Sequence, residues 1–492
     1  MKRHLASFLS FLKTKKFPTT EDIATLRHSP VSLYTGGLFI LLTLVVGLFL
    51  ALLMHLSALV STDVPDYGGS ITEGVIGAPR FINPLLATSE TDEVLTTLIY
   101  SGLISRADDG SVTPALATSC TASPDARSYQ CTLPPHLVFS NKHPLTSADV
   151  LFTLQTKKLL ALSKDPYSIW GNVSVEAPDA TTVRVTTTGN PTDLIDILTT
   201  GIVPKELWEP IPLASLADSA ANMAPIGAGP FTLTNISYTN TIPTEITLTR
   251  NKHFAGPKPF LHSIIVHSYA NQLDLKAALH QQSIMSTSAL KGTYIDTQIE
   301  NDFSITPIAT TKSVALLVNQ TQATSTMAQS LAAVGATIDK KAIIDTIEHG
   351  YGIPLSLEST SRSNSAVPLS RTPALPISIA VQKDEDLIAT AELLSTTLKE
   401  FGILSTVNVF DQGLFSDQLQ LKAYPFVLVA TDTAIAGYQR LIPLYTKTIP
   451  HISEVSLHTP TPQTVSGLAA IFRDTQGWYR RTDRVWNWFT LK

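Results

Sequence analysis

Residues 377–410 read ISIAVQKDEDLIATAELLSTTLKEFGILSTVNVF, and this run decides the fold class. Residues 377–381 form a short apolar stretch of the kind that makes a buried strand. Residues 386–401 then place Leu387, Ala391, Leu394 and Leu398 on one helical face, with Gly402 as the stop. Residues 403–410 return to strand. After a further helix-like segment, residues 426–430 (FVLVA) are apolar throughout, as in a strand covered on both faces. Strands alternating with helices predict an open α/β sheet with helices on both sides.

Working towards the N-terminus, the pattern stays mixed. Strands are expected at 172–176, 182–188, 231–236, 245–250 and 263–269. Thr88, Ser89 and Glu90 followed by Asp92 and Glu93 read as a helix start, with Val94, Leu95, Leu98 and Ile99 as its apolar stripe and Gly102 as its end. Thr146 with Asp149 is a capping box that opens a second helix, Asp standing where Glu is usual.

The chain has 492 residues, enough for two or three packed lobes. Only 15% of residues are charged, and Ser and Thr take their place on the surface, as suits an exported protein. The net charge of −5 is uneven. Residues 1–30 carry six Lys or Arg against two Asp or Glu, a net of +4, which leaves −9 for the rest. No basic patch follows that segment, which argues against a nucleic-acid partner.

Residues 33–60 contain no Asp, Glu, Lys or Arg. About 20 apolar residues cross a bilayer as a helix, so this stretch is expected to be a transmembrane anchor. The preceding bases put residues 1–32 in the cytoplasm and the bulk of the chain outside. A cleaved signal peptide is the competing reading, but it has a shorter apolar core and a nearby small-residue cleavage site. Residues 61–69, with Pro65, Gly68 and Gly69, read as a tether.

The two cysteines, Cys120 and Cys131, flank Ser123-Pro124-Asp125-Ala126, a sequence suited to a type I turn. A four-residue loop from Pro124 to Arg127 would pair Ser123 with Ser128 and set Cys120 opposite Cys131. Opposed β-carbons lie near disulfide reach, and an extracytoplasmic compartment lets the bond persist. A disulfide is the favoured reading; two buried free thiols are the alternative.

Catalytic and cofactor motifs are missing: there is no Gly-x-Ser-x-Gly elbow, His-Glu-x-x-His helix, P-loop or Gly-x-Gly-x-x-Gly turn. The twelve histidines are scattered. No enzymatic activity, cofactor or metal is expected.

A series of blocks carries a family resemblance. Residues 81–85 (FINPL), 98–103 (LIYSGL), 109–117 (DGSVTPALA) and 144–154 (PLTSADVLFTL) come first. Residues 175–179 (VEAPD), 225–231 (PIGAGPF), 250–256 (RNKHFAG), 338–340 (IDK) and 350–352 (GYG) follow in order. Together they resemble the family 5 extracellular solute-binding proteins, the peptide- and nickel-binding components of ABC importers. The resemblance implies an α/β, two-lobed periplasmic-binding-protein-like fold of type II with an extra subdomain, here preceded by one transmembrane helix. It divides the chain into lobe one at 70–283 with the subdomain at 104–200, lobe two at 284–455, and a return to lobe one at 456–492. Within that return, Trp478, Tyr479, Trp486 and Trp488 are expected to pack on lobe one.

The implied function is to hold an oligopeptide or similar small solute between the lobes and deliver it to an ABC permease. The chain departs from the family between 431 and 442, where a long ligand-contacting segment is reduced to about a dozen residues. That shortening motivates an alternative, a membrane-anchored surface interaction or sensing protein that has lost its transport ligand. Three residues are candidate ligand contacts. Thr88 and Ser89 offer the free N–H groups of a helix start, or simply cap the helix. Asp432 stands near where the family places the carboxylate for a peptide's α-amino group, or is a turn residue.

Overall fold

The computed structural model describes residues 30–106, 111–165, 168–319, 321–323, 328, 331–332, 334–355, 377–431, 435, 438–459, 462, 464–473 and 475–486. Its first element is a helix, Pro30–Val60, 31 residues without a charge. Side chains in that helix are described only at 37–52. Among the described residues no helix is long and apolar enough to cross a membrane. Helix and chain end, residues 30–65 with 482–486, form one compact unit, and Ser61–Asp66 pairs with Arg481–Trp486. Trp488 lies outside the described residues.

Residues 66–481 form the second unit, built on a 12-stranded sheet. At one end Ile377–Gln382 lies parallel to both Ser405–Phe410 and Phe426–Thr431, as the reading of 377–410 predicts. The intervening helix is Glu385–Glu400, capped by Asp384, whose carboxylate accepts from the Leu387 N–H at 3.0 Å. At the other end Ser70–Ile76 lies parallel to Ser263–Tyr269 and Ser286–Thr287, and Ile242–Arg250 and Phe231–Thr239 extend the sheet antiparallel.

Two 16-residue antiparallel strands, Ser304–Asn319 and Tyr438–Ser453, join the two ends. Each serves two cores. Ile308 belongs to an apolar cluster with Ile71, Val75, Phe231, Phe472 and Trp478. Val314, Leu316 and Val318, on the same strand, belong to another with Ile379, Leu394, Phe426 and Tyr445. The ladder slips between Ala309 and Ser313, at the changeover. Two cores on one strand pair, separated by a break in register, are what makes the molecule two-lobed. Trp478 is buried in the first of these clusters.

A third core lies around a four-stranded sheet made by Ser119–Ala122, Ser128–Thr132, Thr182–Thr187 and Val173–Glu176. The helix Ser147–Lys164 covers it, and its Thr146–Asp149 capping box is formed. Within this sheet Ser123 N–H donates to Ser128 O at 2.8 Å, Cys120 faces Cys131, and the two are disulfide-bonded. The crosslink closes a loop of 11 residues, so it stabilises by at most about 3 kcal/mol. Replacing both cysteines by alanine is expected to lower the urea midpoint by the equivalent of about 2–3 kcal/mol, and reductant should do the same to the parent. A midpoint unmoved by either treatment would mean the bridge carries no stability.

One helix ends earlier than its sequence suggests. Ser89 caps Glu90–Ile99, but the stop comes at Ile99 and not at Gly102. The reason is tertiary. The 227–229 loop crosses the helix end, and Gly229 N–H donates to Ile99 O at 2.8 Å. A β-carbon on Gly227 would lie 2.1 Å from that same oxygen, so only glycine allows the crossing.

Candidate functional site

In open α/β sheets the strands' carboxyl ends are where helices start and where a ligand finds free N–H groups. Lobe one presents three such ends. Ile76 leads to the helix capped by Ser89, held in place because Asp92 Oδ1 accepts from the N–H groups of Arg80 and Phe81 at 2.8 and 3.0 Å. Tyr269 leads to Asn271, which caps Gln272–His280 by accepting from Asp274 N–H at 3.0 Å. Thr287 leads to Ser288 and on to Lys291. Lobe two presents Gln382, followed by Asp384 and the Glu385–Glu400 helix.

The Tyr269 and Thr287 ends and the lobe-two end meet at a crevice of about 330 Å3 lined by Gln272, Lys291, Tyr294, His349, Glu385 and Asp386, among others; the Ile76 end does not line it. The chain beside it is close-packed: a β-carbon on Gly292 would lie 2.6 Å from the Tyr351 ring and 2.9 Å from Glu348 O. Lys291 Nζ lies 3.6 Å from Asp386, so an ion pair links the lobe-one end to the lobe-two helix. Asp386 also holds Lys447 at 3.3 Å, and Lys447 reaches Glu348 at 3.7 Å and Asp384 at 3.9 Å. Burial pulls the Lys447 ammonium down, but Glu348, Asp384 and Asp386 more than reverse that and hold it above its ordinary value. Glu348 gains less: burial pushes its carboxyl up, and Lys447 and the Tyr445 hydroxyl, which donates to it at 2.9 Å, only partly offset this. The crevice can therefore offer a ligand both signs of charge, a carboxylate side (Glu385, Asp386) and an ammonium (Lys291).

A larger groove, about 600 Å3, lies between the Glu90–Ile99 helix, the Ile104–Arg106 and Val112–Pro114 hairpin and Phe254. Its lining includes Lys157, whose ammonium is pulled down to about 8 by burial and donates to Pro84 O at 2.6 Å. Among the described residues no lobe-two strand or helix lines it.

Among the residues the sequence singled out, Thr88 and Ser89 sit exposed at the head of the lobe-one helix. Ser89 Oγ accepts from Asp92 N–H at 3.1 Å and is thus engaged in capping. Neither lines the 330 Å3 crevice. Asp432 lies outside the described residues. Lys291, Asp386 and Gln272 were missed by sequence reasoning. The available signal was positional: Asp384–Asp386 and Asn271–Gln272 directly follow strands whose positions the apolar pattern had located. Among the described residues no group of three His, Cys, Asp or Glu side chains could hold a metal ion.

Beneath the lobe-one sheet runs a buried polar row. Glu73 shares the core-facing side of its strand with Ile71 and Val75 and accepts a short hydrogen bond from Ser286. Burial pushes its carboxyl up to about 8, and its Oε1 has no partner. Next in the row, Ser288 and His451 are bonded at 2.7 Å and His451 and Thr459 at 3.1 Å; burial pulls His451 down to about 4.

The chain matches known proteins in sequence and in fold. The model of the bacterial extracellular solute-binding proteins, family 5, matches residues 111–364, just over half of the chain. The oligopeptide-binding protein AppA of Bacillus subtilis is 28% identical over 183 residues, which is 36% of this chain and 33% of AppA, so the chain matches about a third of that relative. Among solved structures, the ABC transporter substrate-binding protein CtaP of Listeria monocytogenes superposes with a TM-score of 0.66 at 20% identity, covering 84% of this chain and all of that one. AppA of Bacillus subtilis bound to a nonapeptide gives 0.58 at 16% identity over 85% of this chain and all of that one. NikA of Brucella suis with Fe(III)-EDTA gives 0.64 at 15% identity, covering 83% of this chain and all of NikA. The two lobes, the crossing strands and the matched segment place the chain in the bacterial extracellular solute-binding proteins of family 5.

Proposed function

We propose that the chain is the substrate-binding component of an ABC importer. It holds an oligopeptide or similar small solute between its lobes, passes it to a permease and catalyses no reaction. The observation that carries this is the meeting of two lobe-one strand ends with a lobe-two helix start at one charged crevice, on lobes joined through a strand pair with a break in register. Such a joint suits hinge closure on a ligand. A peptide is favoured as cargo because the curated relative is an oligopeptide-binding protein. Thr88 and Ser89, outside the crevice, and Asp432 would contact only a ligand that extends beyond it, the first two its acceptor groups and Asp432 its amine.

Residues 33–60 anchor the protein, with the N-terminus cytoplasmic and the main domain extracytoplasmic. Lobe one is 70–283 with its subdomain at 104–200, lobe two is 284–455, and 456–492 return to lobe one. The apolar cluster of Leu275, Ile284, Leu290, Ile299, Phe303 and Ile452 argues for moving the first border towards Ser304.

The test is a titration of the purified full chain with a peptide library, read by tryptophan fluorescence, with mass spectrometry of co-purifying ligands. Asp386→Asn is expected to weaken the best ligand about tenfold while the fold is retained, the loss of one charged hydrogen bond. No response across the library, or an unchanged affinity in Asp386→Asn, would remove the crevice from the ligand site.

A further inference from the structure

The edge of the lobe-one sheet opposite the crevice carries a second feature. Ser70 and Ser263 stand side by side where their parallel strands begin, so this is the sheet's amino edge. Tyr67 and Phe260 stack there at 4.9 Å, Phe260 meets Tyr479 edge-on at 6.1 Å, and Tyr479 stacks on His458 at 4.6 Å. Two cations cover the first ring: Lys258 Nζ is 4.2 Å and Arg250 Cζ 5.5 Å from the centre of Tyr67. Tyr67 itself is 46% exposed.

The charge around this ladder is unlike that of the rest of the molecule. Residues 246–273 contain Arg250, Lys252 and Lys258 and no Asp or Glu, in a chain whose net charge beyond residue 30 is −9. Arg250 donates to the Leu261 and Phe260 carbonyls at 3.0 and 2.6 Å, which leaves its charge uncancelled. Among the described side chains, the nearby carboxylates are Asp66, which accepts from Tyr67 N–H, and Glu454, which is paired with Arg480 at 3.6 Å. Tyr67 also comes only seven residues after Val60, the last residue of the N-terminal helix, a length of about 25 Å at full extension.

We propose that this amino-edge patch rests on the anionic phospholipid headgroups of the membrane that holds the anchor. Aromatic rings with a polar tip are favoured at the headgroup level, and lysine and arginine beside them are attracted to anionic lipid. The lobe-one strand ends that line the crevice are at the opposite edge, so a domain seated this way exposes the crevice to solvent for capture. The inference rests on the anchor reading given above.

The experiment uses the full chain in nanodiscs of phosphatidylcholine alone or mixed with phosphatidylglycerol. Hydroxyl-radical oxidation is read at Tyr67, with the exposed Tyr238 as internal control. Tyr67 should be protected several-fold in the anionic discs, Tyr238 should not change, and high salt or Lys258→Glu should restore the reactivity. Equal Tyr67 reactivity in both discs overturns the proposal. Equal protection in both, indifferent to salt, also overturns it and points to a protein contact. Resistance to alkaline carbonate extraction tests the anchor separately. If the chain is extracted, the same footprint is read with phosphatidylglycerol vesicles added: protection upholds the patch without the anchor, and none rejects it.

Discussion

Replacing Lys447 by methionine is expected to destabilise lobe two by about 1–3 kcal/mol, because it leaves the half-buried Glu348 without a counter-charge and Asp386 with Lys291 alone. Lys447 is the shared partner of Glu348, Asp384 and Asp386, with side-chain exposures of 14%, 41% and 21%. Asp384, the most solvated, contributes least to the cost. Glu348 suffers most: it already sits above the ordinary carboxylate range and would keep only the Tyr445 hydroxyl. The measurement is the urea midpoint at neutral pH. Adding Glu348→Gln to Lys447→Met should recover part of the loss, which a merely structural defect at Lys447 would not allow. A single-variant loss below about 1 kcal/mol would mean that water already screens the cluster as it screens a surface pair.

Glu73→Gln should act in the opposite direction and depend on pH. Burial raises the Glu73 carboxyl from 4.5 to about 8, so between those values the folded chain holds a proton that the unfolded chain has released. The stability linked to that proton is complete below about pH 4.5 and is lost as pH rises through 8. Ionised Glu73, buried and with Oε1 unpartnered, thus costs on the order of 3–5 kcal/mol in the alkaline limit. Glutamine keeps the bond from Ser286 and has no proton to lose. The variant should match the parent at pH 4 and exceed it at pH 9. His451 works the other way: its depressed value means stability is lost as pH falls from 6.5 towards 4, and this acid limb should be the same in both proteins. Thermal midpoints across that range decide it. A parent-minus-variant difference that does not change with pH would show that Glu73 is solvated or ionised throughout.

The parts of the fold that could be read in advance are those set by neighbours in the chain. Asp384, Thr146 and Ser89 cap their helices because a side-chain oxygen two or three residues away reaches an orphan N–H, a wholly local event. Cys120 and Cys131 face each other because a short turn fixes the register. Apolar periodicity located Ser263–Tyr269, Ile377–Gln382 and Phe426–Thr431 for the same reason. The crossing strands were not read at all. A strand buried on one face in its first half and on both faces in its second, as Ser304–Asn319 is on either side of Ala309–Ser313, shows no single period.

The site divides along the same line. By itself the sequence determined the two-lobed α/β class, the disulfide partners and the helix starts, since each depends on spacing within one segment or on an ordered series of motifs. Only the tertiary structure decided that Lys291 meets Asp386, that Lys447 from a third segment neutralises the same carboxylate, and that Gly227 ends a helix more than a hundred residues earlier. Those outcomes depend on which distant strands are paired and in what register, and the energy that selects a register is shared by whole cores, so no single stretch of sequence records it.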